Sequence, residues 1–411
     1  NESDNYQQDL AQLHWSQQWN EFWRTQIAFH YTKGKGYWEN YEKGAYSWIG
    51  LPSLGNDPDG EEKQAYYIHQ QGLNNDFWGT TFSANYKKDN IDLLVGGALN
   101  RYQGAHIKDL LWAEKAYTSY KNNYSYEGLN TKEEASGFAK LTYTLNSKWS
   151  LFADMQLRYV NYEAKKYKVN EALYNFNPKM GVSFNLNPNN SFYLSYARAT
   201  KEPNRSDYKD YAKELKKNAL AKKPVAEKLN DFELGWRYQS DKVVLNVNGY
   251  YMGYQDQLIP TGKLNETGYP IRENVGSSYR SGIEADATVH LSTKWIWQPN
   301  VAFSKNITKD YKTEKKKVIT YWGDTQISYS PSAVIGNTIS FLPIKNFQAS
   351  LISKYVGSQY IDNTQREEAK LDAYFVNNLS LQYEWKPKHT FKSVLFSVIG
   401  NNILNAKYIP Y

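Results

Sequence analysis

The chain has 411 residues, a formal net charge of +7, a mean hydropathy of −0.75 and no cysteine. The absence of cysteine excludes disulfides, thiolate catalysis and thiolate metal sites, and no stretch approaches the ~20 apolar residues of a helical membrane span. Aromatic residues make up 16 % of the chain, with 37 Tyr and 13 Trp, which argues against disorder. A polar chain with this aromatic content is typical of a membrane β-barrel with Tyr and Trp belts at its rims.

Short segments of alternating apolar and polar residues run along the whole chain, and we count about sixteen of them. Clear examples lie at 151–159, 231–238, 243–248 and 379–385. In 231–238, Phe, Leu, Trp and Tyr share one face of the predicted strand, while Asp, Glu, Gly and Arg share the other. Alternation alone fits two folds, a membrane barrel with lipid on one face and a soluble sandwich with a buried apolar face.

The connections between these segments favour the barrel. Tight turns rich in Asn, Asp, Pro and Ser are predicted at Asn20 and at 88–90, 146–148, 187–190, 240–242, 292–294, 344–346 and 386–390. Longer links alternate with them, at 42–74, 112–131, 166–171, 205–228, 262–272, 310–318 and 362–369. Short turns on one rim and long loops on the other are typical of outer-membrane barrels, which place the short turns in the periplasm. We therefore predict a transmembrane antiparallel β-barrel with sixteen visible strands, in one barrel domain covering 1–411.

The order of turns and links also predicts where the ends of the sequence lie. The first strand leads into a short turn and the last strand follows one, so both ends are expected on the long-loop side. A complete bacterial barrel normally has both ends on the short-turn side, so we expect an odd number of further strands before Asn1. An unclosed sheet in lipid would leave backbone groups unpaired at roughly several kcal/mol each. At least one further strand is expected after Tyr411.

Four segments resemble, in the right order, segments of the TonB-dependent outer-membrane receptors, with a character similar to receptors of the Bacteroidetes. They are YARATKEPNRSDY at 196–208, EKLNDFELGWR at 227–237, NVGSSYRSGIE at 274–284 and IGNNILNAKY at 399–408. The resemblance implies a barrel of about 22 strands with a plugged lumen, with five strands before Asn1 and one after Tyr411. The sequence lacks the plug and the TonB-contacting segment of that family.

What the resemblance implies about function is active uptake of a large, scarce nutrient such as a ferric siderophore, haem or cobalamin. The expected partners are TonB, through the plug, outer-membrane lipid and lipopolysaccharide, a small-molecule chelate and a surface lipoprotein; no nucleic acid is expected. No cofactor is expected. A passive porin of sixteen strands is one alternative interpretation, and a surface-adhesion or assembly barrel with no transport role is another.

Aromatic residues in two predicted extracellular links are the candidates for contact with a planar or apolar ligand. They are Tyr46, Trp48, Tyr66, Tyr67 and His69 in the first link, and Trp112, Tyr117 and Tyr120 in the second. The alternative is that these rings belong to the outer aromatic belt or pack the loops together. His69 or His106 is a candidate ligand of haem iron. Lumen-facing residues that would contact the plug or wall neighbours are Asp154, Arg158, Glu233 and Arg237.

Two further patterns have a simpler interpretation beside a functional one. The oxygen-rich segment 56–62 is a candidate Ca²⁺ loop, but a solvated turn is favoured because Gly60 does not sit where an EF-hand needs it. The lysine-rich segment 209–228 is either a short surface helix that meets anionic groups or a flexible loop, which is favoured. No metalloprotease, hydrolase, P-loop or dinucleotide motif is present, so we predict a protein that is not an enzyme and has no metal site.

Overall fold

Strands make up most of the residues that the structure describes, which are 3–49, 52–115, 125–217, 221–265, 268–315, 318–387 and 391–409. In this computed structural model, seventeen strands form one antiparallel sheet, and two strands of two residues each form a separate hairpin. The all-β class predicted from the alternation is confirmed. Within the described residues, no helix is long and apolar enough to cross a membrane.

The chain divides into two compact units, the first made of Asn1–Leu141 and Met155–Phe176, and the second of Thr142–Asp154 and Asn177–Tyr411. Seven strands lie wholly or partly in the first unit. They are β1 (Ser3–Gln18), β2 (Trp23–Ala45), β3 (Gln64–Lys88), β4 (Ile91–Ala113), β5 (Ser125–Thr144), β6 (Trp149–Ala164) and β7 (Val169–Asn187). Two short 3-10 helices lie at Tyr46–Ile49 and Lys165–Tyr167.

The second unit holds the remaining strands and the α-helix of the described chain. They are β8 (Asn190–Lys201), α1 (Arg205–Lys217), β9 (Glu227–Gln239), β10 (Val243–Leu264), β11 (Pro270–His290), β12 (Trp295–Lys315), β13 (Val318–Gln326), β14 (Ala333–Phe341), β15 (Phe347–Val356), β16 (Gln359–Tyr360), β17 (Lys370–Leu371), β18 (Tyr374–Trp385) and β19 (Val394–Gly400). A 3-10 helix at Glu367–Ala369 lies between β16 and β17.

Two of the sheet strands, β13 and β14, together make a single pass across the sheet, which we call a crossing. β13 pairs with residues 307–315 of β12, and β14 pairs with residues 295–303 of the same strand. Both are antiparallel to β12 and so run in the same direction, with residues 327–332 between them. The seventeen strands of the sheet therefore make sixteen crossings, the number predicted from the sequence.

Short turns occur at the predicted positions, and several share one hydrogen-bonding pattern. The side-chain oxygen of Asn20 accepts the N–H groups of Phe22 and Trp23, both at 2.9 Å. Asn146 does the same for the residues two and three positions later, at 2.9 and 3.0 Å, and Asn187 for the residue two positions later, at 3.0 Å. An Asx side chain of this kind satisfies backbone donors that the strands have left unpaired. Residues 388–390 of the last predicted turn lie outside the described residues.

Several predicted long links are wrong in extent, because the strands continue into them. β2 and β3 have 23 and 25 residues, so the predicted link 42–74 shrinks to 46–63. A tilted strand crosses the hydrocarbon with about 9–11 residues, so more than half of each of these strands extends beyond it. Strand residues also occupy much of the predicted links at 112–131, 166–171, 262–272 and 310–318.

A helix replaces the flexible loop that we favoured within 209–228. Asn204 accepts the N–H of Asp207 at 3.0 Å, and a carboxylate oxygen of Asp207 accepts the N–H of Asn204 at 2.7 Å. This reciprocal capping box satisfies donors that a helix start leaves free, and α1 follows it. The helix interpretation is therefore correct for Arg205–Lys217.

The segment 56–62 forms a hydrogen-bonded turn. One oxygen of Asp57 accepts the N–H groups of Asp59 and Glu61, at 3.1 and 3.0 Å, and Glu62 accepts the hydroxyl of Ser47. Within the described part of the chain, no group of three or more His, Asp or Glu residues is placed to hold a metal ion.

An apolar row runs across five strands of the second unit. Leu194, Leu234, Gly249, Ile283 and Phe303 are in register across β8, β9, β10, β11 and β12. The four side chains of this row are between 52 % and 61 % exposed. Apolar residues exposed in such a row are what lipid contact requires.

The sandwich alternative fails at the residues that a second layer would have to cover. Leu234 is 61 % exposed and Leu381 is 36 % exposed, and Leu245 is half-buried. In a sandwich these side chains would be sealed between two sheets. The transmembrane antiparallel β-barrel class is the fold of this chain.

Candidate ligand-binding site

Alternation along β2, β3 and β4 separates two faces of the first unit. Toward the short turns, the exposed residues on one face are Phe29, Tyr31, Trp78, Phe82 and Leu99. This is the lipid side, because large apolar side chains are exposed on it. The opposite face is the inward one. The register of β2 with β3 is unbroken, so the two faces can be followed to the far ends of these strands, well beyond the membrane.

At those ends the inward face carries a buried aromatic cluster. Tyr46, Ala65, Tyr67, Leu110 and Ala113 pack together, and Tyr46 and Tyr67 are only 0 % and 3 % exposed. Their rings meet edge to face with centroids 6.3 Å apart. The cluster thus packs Tyr46, at the start of the loop 46–63, against the ends of β3 and β4.

His69 lies beside this cluster and is itself buried. Its ring stacks on Tyr67 at 5.5 Å and meets Trp38 edge-on at 5.6 Å. Burial lowers the pKa of His69, and its Nδ1 is buried without a hydrogen-bond partner among the described residues. The Tyr67 hydroxyl donates to Glu42 at 3.2 Å, and burial, together with that carboxylate, raises the pKa of Tyr67 to about 12. The inward site is therefore aromatic around the imidazole, and the charges of Glu42 and Lys108 lie near enough to act on it.

The outward face of the same strand ends carries a second, exposed aromatic group. Tyr41 and Tyr66 stack with centroids 5.0 Å apart and planes 7° from parallel, and Trp112 lies 6.3 Å from Tyr41. The ammonium of Lys43 lies 5.6 Å from the Tyr66 ring. Between 38 % and 49 % of each of the three aromatic side chains is exposed.

Next to these residues lies a cavity of about 810 Å³ at the rim, lined by Lys43, Leu54, Asp57, Glu61, Glu62, Lys63, Gln64 and Lys115. The loop that walls it is held in place because the Lys115 N–H donates to the Tyr46 hydroxyl at 2.8 Å. Ser47 also donates to Glu62, which lowers the pKa of that carboxyl. The lysines and carboxylates give the cavity both positive and negative charges.

The predicted ligand contacts therefore do not form one surface. Tyr66 and Tyr67 are neighbours in a strand and face opposite sides, so Tyr66 and Trp112 are exposed outward while Tyr46, Tyr67 and His69 are buried inward. Trp48 lies in the 3-10 helix Tyr46–Ile49. Tyr117 and Tyr120 lie outside the described residues. His106 pairs with Leu73 in the register of β3 and β4, four positions along β3 from His69.

Trp38 and Tyr41 belong to these two groups, and the sequence analysis missed both. The alternation of β2 includes them, because their strand extends to Ala45. Extending the period-2 pattern past residue 37 would have found them.

Among the predicted lumen-facing residues, two contact neighbours in the wall. Arg158 donates to both oxygens of Glu134, at 2.8 and 2.9 Å. The guanidinium of Arg237 lies 4.9 Å from the ring of Tyr193.

The other two are placed differently. Glu233 is opposite Tyr250 in the register of β9 and β10. One oxygen of Asp154 is buried without a hydrogen-bond partner among the described residues.

An antiparallel sheet with an exposed apolar face, short turns and long strand extensions defines a transmembrane β-barrel. The chain belongs to the TonB-dependent receptor-like β-barrel family, whose model matches residues 1–403. A comparison with curated protein sequences found no match.

Solved structures of similar fold include receptors and a transporter. The copper transporter OprC is 14 % identical with a TM-score of 0.70, and the match covers 98 % of this chain and 60 % of that one. The ferric-catecholate import receptor Fiu of E. coli K12 is 14 % identical with a TM-score of 0.64, covering 99 % and 61 %. The ferric preacinetobactin receptor BauA of Acinetobacter baumannii is 10 % identical with a TM-score of 0.65, covering 98 % and 60 %. The chain thus spans about three fifths of the structures it matches.

Proposed function

We propose that this chain is the barrel part of an outer-membrane receptor for TonB-coupled active uptake of a large, scarce nutrient. The family match over residues 1–403 carries the proposal. Metal chelates rank first among the nutrients, with ferric siderophores ahead of haem and cobalamin, since the similar structures include ferric-siderophore receptors and a copper transporter. Family membership favours this function over a passive porin.

The inward cluster is the proposed ligand side. In a barrel with a plugged lumen, cargo enters from the long-loop side and descends along the inward face, where Tyr67, His69 and Trp38 lie. Because Tyr46 packs on Tyr67 and both are buried, Tyr46 and the loop that it begins, 46–63, have to move before a planar cargo can stack on Tyr67. The lysines of the rim cavity, Lys63 and Lys115, supply the first attraction for an anionic chelate.

The other proposed partners are assigned to the inward face, the lipid-facing surface and the long loops of the barrel. TonB acts through the plug of the full-length protein, and the plug contacts the inward wall at Asp154, Arg158, Glu233 and Arg237. Lipopolysaccharide and outer-membrane lipid surround the apolar face. A surface lipoprotein that covers the long loops is a further partner of the proposal.

Uptake by cells that produce the full-length protein tests the function. We expect energy-dependent accumulation of one member of a panel of ferric catecholate, ferric hydroxamate, haem and cyanocobalamin. That accumulation is lost in a strain without TonB. Accumulation that is independent of TonB, or absent for the whole panel, would contradict the proposed function.

Neighbouring residues on β3 provide matched variants for the site. Tyr67→Ala and His69→Ala are expected to lower ligand affinity at least tenfold, because each removes an inward ring. Tyr66→Ala removes an outward ring from the same strand and is expected to leave affinity unchanged. If uptake persists but follows Tyr66 instead of Tyr67 and His69, the function stands and the assigned face is wrong.

A further inference from the structure

The exposed apolar face of the second unit contains a depression of about 780 Å³. Large apolar side chains border it, namely Leu194, Phe232, Leu234, Tyr251, Ile283 and Phe303. Each of the six is at least half exposed, so they point away from the inward face and toward lipid. The depression therefore opens into the hydrocarbon of the membrane.

Gly249 forms the floor of this depression. It lies in register between Leu234 and Ile283, and a Cβ built at Gly249 would meet only the backbone oxygen of Leu234, at 3.9 Å. Packing within the sheet therefore does not require a glycine here. The space above it is the space that a larger side chain would fill.

One end of the depression is basic and hydroxylic. Lys305 and Ser281 line it and face each other in the register of β11 and β12. Lys305 is the eleventh residue of β12, counting from Trp295, and a strand crosses the hydrocarbon in about 9–11 residues. Lys305 thus lies at headgroup level on the side away from the short turns, which is the outer leaflet.

The ammonium of Lys305 is available to a ligand. It is exposed and makes no ion pair among the residues described, although the charge of Asp324, which is paired with Lys309, lies near enough to interact with it. The next lysine on the same face differs, because Lys309 is paired with Asp324 and lies 5.7 Å from the Tyr279 ring.

We infer that the depression binds one acyl chain of lipid A and that Lys305, with Ser281, binds a lipid A phosphate. An apolar trough that ends in an unpaired cation at headgroup level matches a lipid that carries both groups. Lipid A is the phosphorylated lipid of the outer leaflet, where Lys305 lies. This site is separate from the nutrient site and depends on the proposed function only through the placement in the outer membrane.

Native mass spectrometry of the full-length protein in detergent tests the inference. The probes are diphosphoryl lipid A, monophosphoryl lipid A and phosphatidylglycerol. Lys305→Gln is expected to weaken binding of diphosphoryl lipid A about fivefold, as for the loss of one lysine near a charged surface. Gly249→Leu is expected to weaken both lipid A species about tenfold, because it fills the floor and displaces methylene groups.

Matched variants separate the site from general lipid contact. Gly137→Leu changes another exposed glycine, whose added Cβ would meet only the Gly96 oxygen at 4.0 Å. Lys228→Gln neutralises another exposed strand lysine. Both are expected to bind lipid A like the unchanged protein, and heat-modifiable electrophoretic mobility confirms folding of every variant.

Three outcomes would overturn the inference. They are unchanged lipid A affinity in the folded Lys305→Gln and Gly249→Leu variants, equal losses in the two matched variants, and phosphatidylglycerol binding as tight as lipid A with the same losses. Nutrient uptake is measured separately, so failure of the lipid site leaves the proposed transport function intact.

Discussion

A single step along β3 decides whether an aromatic side chain is exposed or buried. Tyr66 is 38 % exposed and stacks on Tyr41, whereas Tyr67 is 3 % exposed and packs on Tyr46. Both are tyrosines with the same intrinsic preferences. The difference comes from the two-residue period of the strand, which gives each face its own chemistry.

The buried imidazole of His69 makes the inward cluster sensitive to acid. Because burial lowers the pKa of His69, the folded cluster binds fewer protons than the open chain between that lowered value and about 6.5. The free energy of opening therefore falls as the pH drops through this window. Hydrogen exchange of the amides at 65–69, corrected for intrinsic rates, is expected to accelerate below about pH 6.5.

His69→Gln is expected to remove this acceleration. His30→Gln, at a histidine held by Asn100 at 3.1 Å, is expected to keep it. An unchanged pH dependence in His69→Gln would show that another group controls the opening.

At the residue scale, the sequence predicts chemistry better than it predicts neighbours. His69 and Tyr67 were recognisable as ring-bearing candidates, but Tyr67 is buried against Tyr46 and His69 packs on Tyr67 and Trp38. The alternation in 231–238 predicted the face of Leu234 correctly, because that property is local. The pairing of Arg158 with Glu134 depends on the register of separate strands, which the sequence alone does not specify.

Among the elements, α1 is anchored by one partly buried ion pair. Arg272 donates to both oxygens of Asp207, at 3.0 and 2.7 Å, and Asp207 is 6 % exposed. Arg272→Ala leaves that carboxylate buried without its cation, which is expected to destabilise the docked helix by about 3 kcal/mol. Trypsin added to intact cells should then cleave after Lys213 and Lys216.

An exposed ion pair nearby serves as the comparison. Lys201 lies 3.5 Å from Glu227 and its side chain is 62 % exposed, so Lys201→Ala is expected to cost about 0–1 kcal/mol. Equal protection of α1 in both variants would mean that the pair does not anchor the helix.

The segment from β16 to β17 is fixed by one buried amide. Asn363 is 0 % exposed; its oxygen accepts the Ser328 N–H and its nitrogen donates to the Pro260 oxygen, both at 2.8 Å. Asn363→Ala leaves the buried Ser328 N–H unpaired, while the Pro260 oxygen keeps the Ser328 hydroxyl as a donor at 3.1 Å, and is expected to destabilise the fold by about 1–3 kcal/mol. Thermal unfolding followed by electrophoretic mobility measures the effect.

Thr364→Ala is the matched change, since the Thr364 side chain bonds to Asp362 in its own turn and to Arg366. A loss of stability as large as that of Asn363→Ala would place the effect in the turn rather than in the contacts across strands.

Element identity was predictable here, and element length was not. Tight turns carry a local signal, because Asn20 and Asn146 bond to backbone groups only two or three residues away. The ends of β2 and β3 carry no such signal, since their extension depends on pairing with each other over 23 residue pairs. The capping box at Asn204 predicts the start of α1, but the high lysine content of the segment led us to favour a flexible loop.

On the scale of the whole molecule, the number of crossings followed from alternation, although one crossing is interrupted. The break between β13 and β14 leaves the count at sixteen, because both halves pair with β12. Repetition makes this property robust, as an error in one strand does not shift the others. The identity of the cargo has no comparable repeated signal, because it depends on a few side chains at the rim.

The absence of cysteine allows a direct test of orientation. Lys43→Cys lies at the far end of β2, and Lys242→Cys lies in a short turn between β9 and β10. A membrane-impermeant maleimide added to intact cells is expected to label the first position and leave the second unlabelled until the outer membrane is opened. The reverse pattern would contradict the proposed placement of the long loops outside the cell.

Because β2 and β3 stay paired far beyond the membrane, the loop that joins them can change in sequence independently of the strands in the membrane. A substitution or insertion within 46–63 alters what the rim touches without disturbing the backbone ladder below it. Related proteins with the same barrel wall are thus free to change ligand specificity through mutations in this loop, while the membrane-embedded strands stay the same.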